Sequence, residues 1–499
     1  MAVQLDTPAE TMSVRAALRS PRRLKTEVLA GMVVALALIP EAISFSIIAG
    51  VDPRVGLFAS FTMAVTIAIV GGRPAMISAA TGAIALVVAP LSREYGLDYL
   101  IAAVLLAGVL QIVLSLLGVA KLMRFIPRSV MVGFVNALAI LIFTAQLPHL
   151  IDVPALVYPM VAIGLLIMVL LPKVTTVVPA PLVAIVLLTA ATVIFALNVP
   201  NVGDESELPS SLPSWLIPDV PFTMDTLSII APYALAMALV GLLESLMTAK
   251  LVDDITDTHS DKTREGWGQG IANLVTGLFG GMGGCAMIGQ TMINVKVSGA
   301  RTRISTFLAG VFLLILVVGL GDVVALIPMA ALVAVMIMVS VGTMDWHSIA
   351  PKTLRRMPRS ETTVMLATVA VTVATHNLAY GVIVGVITAM VLFARRVAHL
   401  TEVVDVAHPD EDTRAYAVHG ELFFASSNDL IYQFDYVGDP KNVVIDLSDS
   451  HIWDASTVAA LDAITTKYAA KGKTATVVGL NMDSSERHVR LSGQMGAGH

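Results

Sequence analysis

The amino-acid sequence predicts a polytopic α-helical membrane protein that ends in a small soluble α/β domain. Three observations carry that expectation. Apolar residues make up 56% of the 499-residue chain and charged residues only 14%, against roughly 45–50% and about 25% in soluble globular proteins. Between about residue 28 and residue 400 the charges are confined to short islands, and beyond residue 400 they recur throughout. This composition excludes a single soluble domain, a disordered chain and a fibrous protein. The net charge of −6 gives no basic footprint for nucleic acid. The single cysteine, Cys285, rules out an intramolecular disulfide framework, and its Gly-Gly-Cys-Ala setting reads as small-residue packing.

Three regions follow: an N-terminal tail over 1–27, a membrane domain over 28–400 and a soluble domain over 401–499. The tail is basic (Arg15, Arg19, Arg22, Arg23, Lys25) and shows no small-residue cleavage site, so it is not expected to be a secretory signal. Charge-free stretches at 55–72, 74–92, 99–120, 129–151, 174–203 and 226–243 approach the length of a bilayer crossing. At roughly 27 residues per span and loop, the membrane domain holds about 14 crossings. The segment centres are 29–50, 56–72, 81–91, 99–120, 130–148, 155–172, 181–197, 226–250, 267–281, 289–297, 303–320, 323–343, 363–381 and 383–398. Two of them, 81–91 and 289–297, are too short to span alone. Lysine and arginine set the sidedness. The N-terminal tail and the loops at 121–128 (with Arg124), 250–264 and 352–359 are basic, whereas no Lys or Arg lies between Lys173 and Lys250. The acidic loop 198–225, with Glu207 among its carboxylates, is therefore expected outside and both termini in the cytoplasm, in a cell inner membrane.

The strongest pointer to function is a pair of glycine-rich interruptions at corresponding places in two halves, 29–198 and 226–398. Gly71-Gly72-Arg73-Pro74 and Ser78-Ala79-Ala80-Thr81-Gly82 precede the short segment Ala83–Leu91. Gly280-Gly281-Met282-Gly283-Gly284 precedes Gln290-Thr291-Met292-Ile293-Asn294. A helix that starts within the membrane presents free N–H groups and a positive dipole end, which suits an anion. The Thr81 and Thr291 hydroxyls are candidate further donors. One such stretch alone would read as tight helix packing; the matched placement favours a site.

Two carboxylates interrupt apolar segments. Glu244 lies deep in Ala234–Thr248, and Gly241, Glu244 and Thr248 share a helical face. An intramembrane carboxylate is costly and marks a functional position. Desolvation suits it to taking up and releasing a proton. Glu41 follows Pro40, where a helix break is expected; it reads as a gate, a second proton site or a structural hydrogen-bonding group. Asp253, Asp254 and Asp257 with Lys250, Lys262 and Arg264 read as a solvated loop. No Walker, HExxH or GxSxG motif is present, so an enzyme is not expected.

In the soluble domain, Ala415–Phe424, Asn442–Ser448 and Thr474–Gly479 read as strands and Ser427–Phe434 as a helix start. Asp454 caps a helix in which Val458, Leu461, Ile464 and Tyr468 recur at helical spacing.

Four stretches together resemble the SulP sulfate permeases, the bacterial branch of solute carrier family 26: Ala35–Ser44, Gly71–Gly82, Gly270–Gly281 and Ser298–Thr302. The C-terminal part resembles the STAS domain through Asn442–Ser448 and Asp454-Ala-Ser-Thr457. The resemblance implies 14 transmembrane segments in two inverted repeats of seven, the UraA-like arrangement. Segments 1–4 and 8–11 would form a core and 5–7 and 12–14 a gate. It implies alternating-access transport of a small inorganic or organic anion between two half-helices, and a homodimer. By the same resemblance Glu41, Thr81, Gly82 and Ala83, with Met287, Ile288, Gly289, Gln290 and Thr291, line the substrate site, and Glu244 with Thr248 carries the coupling. Many relatives carry an arginine near the second half-helix, where this chain has Gln290. Glu244 replaces the aspartate of sodium-coupled relatives, and apolar Met287 and Ile288 replace a hydroxyl-bearing residue, which argues for protons over sodium. No bound cofactor is expected. Asp454-Ala-Ser456 departs from the Asp-Ser-Ser-Gly phosphoacceptor loop, which puts regulation through Ser456 in doubt, although a cytosolic partner at the STAS domain stays open. Sulfate, bicarbonate and a dicarboxylate such as fumarate are all compatible substrates. Two other readings share the sequence: a nucleobase–proton symporter of the same architecture, and a membrane receptor or scaffold acting through the STAS domain.

Overall fold

The computed structural model describes residues 13–122, 126–174, 179–205, 212–319, 321–398, 401–410 and 412–493. Arg124 and Glu207, used above to orient the loops, lie outside them. The chain divides into two compact units, Met1–Val386 and Ile387–His499. The division falls inside the helix Leu378–Ala398.

In the first unit the apolar stretches are helices: α1 (Pro21–Ala49), α2 (Pro53–Val70), α3 (Gly82–Tyr95), α4 (Leu97–Leu116), α5 (Arg128–Thr144), α6 (Val157–Val174) and α7 (Ala180–Ile194). The second half supplies α8 (Met224–Thr256), α9 (Lys262–Leu278), α10 (Ile288–Met292, continued by a π-helical turn Ile293–Val297), α11 (Arg303–Gly319), α12 (Met329–Thr343), α13 (Arg359–Thr375) and α14 (Leu378–Ala398). Each expected segment centre falls on one of these helices. Among the described residues seven helical runs are long and apolar enough to cross a membrane: α1, α2, α4, Arg128–Leu150, α6, α8 and Leu378–Val397.

Local chemistry sets the ends. Pro21 and Pro53 occupy first-turn positions, where the missing N–H costs nothing. Gly50 closes α1 in the left-handed region, at φ 75°. Thr223 and Asp261 cap α8 and α9 by accepting from Thr226 N and Arg264 N. The break expected at Pro40 does not occur, because α1 runs through it. Proline removes one N–H donor, and helices packed on every side tolerate that loss. Here α2, α3 and α11 pack on α1, and the Ser44 hydroxyl donates to Pro40 O at 2.8 Å.

Helices α1–α4 pack with α8–α11, and α5–α7 pack with α12 and, through α5, with α13. Helices α4 and α9 touch at paired glycines. A Cβ added at Gly108 would sit 2.7 Å from Gly270 O, and one at Gly270 would sit 2.6 Å from Gly108 O. Within the first bundle, β1 (Ser78–Ala79) pairs antiparallel with β2 (Cys285–Ala286), with Ser78 opposite Ala286 and Ala79 opposite Cys285. The glycine run makes this crossing possible. Gly283 adopts φ 78°, and a Cβ on Gly284 would collide with the Ala79 carbonyl.

The second unit contains a five-stranded sheet: β3 (Glu402–Asp410), β4 (Thr413–Leu422), β5 (Asn442–Asp446) and β7 (Thr474–Val478) in that order, with β6 (Ser450–Ile452) on β4. All pairings are parallel except β3 with β4. The helices are α15 (Phe424–Leu430), α16 (Ala455–Ala469) and α17 (Met482–Leu491). Asp454 caps α16 by accepting from Thr457 N at 3.0 Å. Val458, Leu461, Ile464 and Tyr468 are buried in the core, as the helical spacing predicts. Strands β3 and β6 and helix α17 are additions to the expected set. Buried Asp439 accepts from Tyr416 Oη at 2.8 Å, Tyr468 Oη at 2.5 Å and Arg414 at 2.9 Å.

Two predictions follow from this architecture. Gly284→Ala forces β1 and β2 apart and destabilises the detergent-solubilised protein by about 1–3 kcal/mol or more, read as a lowered Tm against Gly289→Ala, whose Cβ meets open space. In the second unit, burial and the bond to Asp439 push the Tyr416 phenol up from 10.0 to about 12. The neutral phenol's stabilisation is complete below the unfolded value and is lost as pH rises from 10.0 toward about 12. Tyrosinate absorbance and tertiary structure therefore change together over that interval, and Tyr416→Phe removes this contribution.

Candidate functional site

The crossing of β1 and β2 sets two helix N-termini near one another. Thr81 is the N-cap of α3, its hydroxyl accepting from Ile84 N at 3.3 Å. The first-turn N–H groups of Gly82 and Ala83 are among those a helix leaves without an intrahelical acceptor. Met287 begins α10 with no side-chain cap, so the same holds for the amides of Ile288 and Gly289. Thr81, Gly82, Ala83, Met287 and Gln290 are buried, Ile288 is half-buried and Gly289 exposed.

Glu244, buried on α8, accepts from the Cys285 thiol, with Oε2 2.9 Å from Sγ. Cys285 Sγ also lies 3.1 Å from the Thr81 hydroxyl. One chain of polar atoms therefore joins Glu244, β2 and the cap of α3. Glu41, half-buried on α1, accepts from Gln290 Nε2 at 2.7 Å, which joins α1 to α10. Gln290 Oε1 is buried without a hydrogen-bond partner.

Two predicted residues are placed differently from expectation. The Thr291 hydroxyl does not point at the helix starts; it accepts from Ile77 N at 3.0 Å and supports the strand before the crossing. The Thr248 hydroxyl donates to Glu244 O at 2.7 Å, so it bonds the backbone of its own helix and not the Glu244 carboxylate. A hydroxyl one turn along a helix reaches that carbonyl more readily than a neighbouring side chain.

The supposed solvated loop at 250–264 is also corrected. Helix α8 continues to Thr256, and Asp253 pairs with buried Arg73 at 3.0 Å and with Lys262 at 2.5 Å. Glu265 accepts from Gly72 N and Arg73 N, both at 2.8 Å. The sequence placed these charges next to apolar segments but gave no sign that Arg73, 180 residues from Asp253, would meet them.

Sequence reasoning missed a set of neutral polar side chains that hold the crossing. Asn273 accepts from Gly284 N at 2.9 Å and donates to Gly284 O at 3.1 Å and to Gln111 Oε1 at 2.8 Å. Gln269 donates to the Ser78 hydroxyl at 2.7 Å. Ser245 accepts from Ala286 N at 3.1 Å. Their signal was available: amides within otherwise apolar membrane segments are expensive unless paired. Cys285, which the sequence alone reads as packing, bonds Glu244 and lies against Thr81.

Residues 24–162 and 151–368 match the sulfate permease family, and residues 405–493 match the STAS domain. The chain belongs to the sulfate permease family. Its relatives include the putative sulfate transporter YbaR of Bacillus subtilis, 54% identical over 92% of this chain and 95% of that one. The bicarbonate transporter BicA of Picosynechococcus is 26% identical over 89% of this chain and 86% of that one. Among solved structures, the transmembrane domain of a cyanobacterial BicA superposes with a TM-score of 0.65 at 25% identity, covering 74% of this chain and 97% of that one. SLC26A9 shares the fold, with a TM-score of 0.80 at 15% identity over 96% of this chain and 89% of that one. The chain is thus a membrane-embedded member of an anion transporter family with a C-terminal STAS domain.

In this sulfate permease family member the glycine run is held by Asn273 from both sides. Asn273→Ala leaves Gly284 N and O short of partners. The expected cost is about 1–3 kcal/mol, measured as a lowered Tm in detergent. Asn273→Asp retains the acceptor for Gly284 N and falls between Ala and wild type.

Proposed function

We propose that the protein is a secondary active transporter of a small anion, working by alternating access and coupled to protons through Glu244. The observation that carries this reading is the convergence of the α3 and α10 starts on one backbone crossing, bracketed by Glu244 and Glu41. The N–H groups at Gly82, Ala83, Ile288 and Gly289 supply neutral donors for an oxyanion. No arginine stands at Gln290, so dipoles and amides carry the attraction.

Electrostatics then favours proton coupling. Two unit negative charges about 4 Å apart repel by about 4 kcal/mol at an effective dielectric near 20. An anion among the donors is therefore disfavoured while Glu244 is ionised and accepted once Glu244 is neutral. Thr81 and Cys285 relay between that carboxyl and the first helix start. Relatives bearing the names of sulfate and bicarbonate transporters make those anions the first candidates, with dicarboxylates such as fumarate next. The matched helix layout supports 14 crossings in two inverted repeats, and the basic loops support cytoplasmic termini in an inner membrane. A homodimer and a regulatory partner at the STAS domain belong to the same proposal.

The test is uptake of labelled sulfate, bicarbonate and fumarate into proteoliposomes under imposed pH and sodium gradients. At least one anion accumulates with an inward proton gradient and ignores sodium. Glu244→Gln abolishes the gradient-driven component, on the order of tenfold or more (at least about 1.4 kcal/mol). Uptake by Glu244→Gln with unchanged proton dependence would overturn the coupling assignment. Competition by uracil and not by anions would favour a nucleobase carrier instead.

A further inference from the structure

Cys285 stands between two side-chain oxygens. Its Sγ lies 2.9 Å from Glu244 Oε2 and 3.1 Å from the Thr81 hydroxyl. A thiol carries one hydrogen, so it donates to one of these oxygens at a time and accepts from the other. All three side chains are buried, and buried polar hydrogens take partners within the protein. The backbone holds the sulfur in place from both sides. Gly284 before it is bonded to Asn273 through N and O, and Ala286 N after it donates to Ser245, the neighbour of Glu244 on α8.

The charge of Glu244 then sets the direction of the chain. An ionised carboxylate only accepts, so the Cys285 S–H points to Glu244 and the Thr81 O–H donates to the sulfur. The Thr81 oxygen meanwhile accepts from Ile84 N at 3.3 Å. Once a proton from solvent neutralises Oε2, the acid O–H donates to the sulfur and the thiol hydrogen turns to the Thr81 oxygen. The Thr81 hydrogen leaves the sulfur and turns toward the first-turn N–H groups of Gly82 and Ala83, where the proposed anion sits. One proton is added; the other two hydrogens rotate about the C–S and C–O bonds, and no bond to them breaks. A proton on Oε1 instead finds no acceptor, because the contact with Cys285 is the one hydrogen bond of this carboxyl group among the described residues.

No other ionisable group intervenes. Helices α3, α4, α9 and α10 pack on α8 with β2. Their charged side chains stand at helix ends: Arg93 and Glu94 in the last turn of α3, Asp98 in the first turn of α4, and Lys262, Arg264 and Glu265 in the first turn of α9. None of these is bonded to Glu244. On α8 itself the charged residue nearest in sequence is Lys250, which pairs with Asp254, and Glu41 on α1 is bonded to Gln290.

We propose that Cys285 is a positioning residue for anion binding: by reversing two hydrogen bonds it reports the protonation of Glu244 to Thr81 and turns the Thr81 O–H toward an anion at the start of α3. This inference rests on the coupling through Glu244 proposed above.

Infrared spectroscopy of the full-length wild type tests it directly, because Cys285 is the one cysteine of the chain and its S–H stretch has a single origin. As pH falls, the carboxylic C=O band of Glu244 appears, assigned by its absence in Glu244→Gln. The S–H band moves to higher frequency in step, since the thiol exchanges a carboxylate acceptor for a hydroxyl. In Glu244→Gln the S–H band does not respond to pH. A second arm measures counterflow of whichever of labelled sulfate, bicarbonate and fumarate the wild type carries, with equal pH on both sides. Cys285→Ala frees the Thr81 O–H at every pH, so KM falls at alkaline pH and the ratio of alkaline to acidic KM shrinks by about fivefold. Cys285→Ser, which still donates and accepts, keeps the wild-type ratio. Should Cys285→Ala fail to fold, the wild-type spectrum alone decides. A KM shift in Cys285→Ala that is equal at both pH values marks a merely structural role and overturns the inference. An S–H band that stays fixed while Glu244 protonates also overturns it and leaves the coupling through Glu244 standing. Proton dependence that persists in Glu244→Gln overturns both.

Discussion

Everything in the first unit is arranged around two residues of extended chain on each side of one antiparallel crossing. Backbone that leaves the helix inside a membrane must find every hydrogen-bond partner within the protein. Ser78–Ala79 and Cys285–Ala286 satisfy each other in part. The remaining groups are met one by one from different helices. Ala80 N donates to the Ser60 hydroxyl at 3.2 Å, Ala286 N to Ser245, Ile77 N to Thr291 and Met287 N to Ile77 O at 2.8 Å. Asn294 donates to Ala75 O at 2.8 Å. The crossing therefore does more than aim two helix starts. It requires α2, α8, α9 and α10 to keep fixed positions around it.

A second constraint sits at the approach to β1. Arg73 is buried and has Asp253 as its counter-ion, with Thr256 and Thr258 as further acceptors at 2.6 and 2.7 Å. Breaking a buried ion pair by removing one partner costs about 3–5 kcal/mol, because the survivor is stranded. The pair joins the loop before β1 to the end of α8, the helix that carries Glu244. Glu265 on α9 holds the same loop by its backbone. The loop that leads into the first helix start and the helix bearing the carboxyl group are thus parts of one polar assembly.

Much of this was legible in the sequence, and the failures share a cause. Segment positions could be read because apolar runs and charge islands are local properties. The helix starts at Gly82 and Ile288 could be read because glycine-rich stretches interrupt apolar ones. What could not be read was the partner of each polar group. Helical spacing sets Thr248 on the face of Glu244 and makes the Thr291 hydroxyl a candidate donor, but it does not show that these hydroxyls bond backbone groups nearer at hand. Asp253 looked like a solvated loop residue because Arg73 is remote in sequence. Pro40 looked like a break because only packing on neighbouring helices makes a proline tolerable inside α1. In the second unit the missed elements have weak local signals: β6 is three residues long, and α17, MDSSERHVRL, is too polar to announce a buried face.

The distribution of fixed positive charge bears on how a site of this kind would work. The arginines near the crossing are committed to holding chain. Arg73 is paired with Asp253, and Arg303 donates to Ala68 O at 3.2 Å and to Gly71 O at 2.5 Å. At the crossing itself the polar groups other than the two carboxyls are neutral: backbone amides at the two helix starts, the Thr81 hydroxyl, the Cys285 thiol that donates to Glu244 and the Gln290 amide that donates to Glu41. On the proposed function, such groups attract an oxyanion without a permanent counter-charge. An arginine at position 290 would deepen the well, and it would also pair with Glu41 and remove that carboxyl from any role in sensing protons. On the proposed reading, attraction comes from fixed dipoles and control comes from the charge state of the neighbouring carboxyls. A carboxyl beside the donors repels a bound anion only while it is ionised, so on that reading the proton, and not a fixed counter-charge, decides when the anion is held.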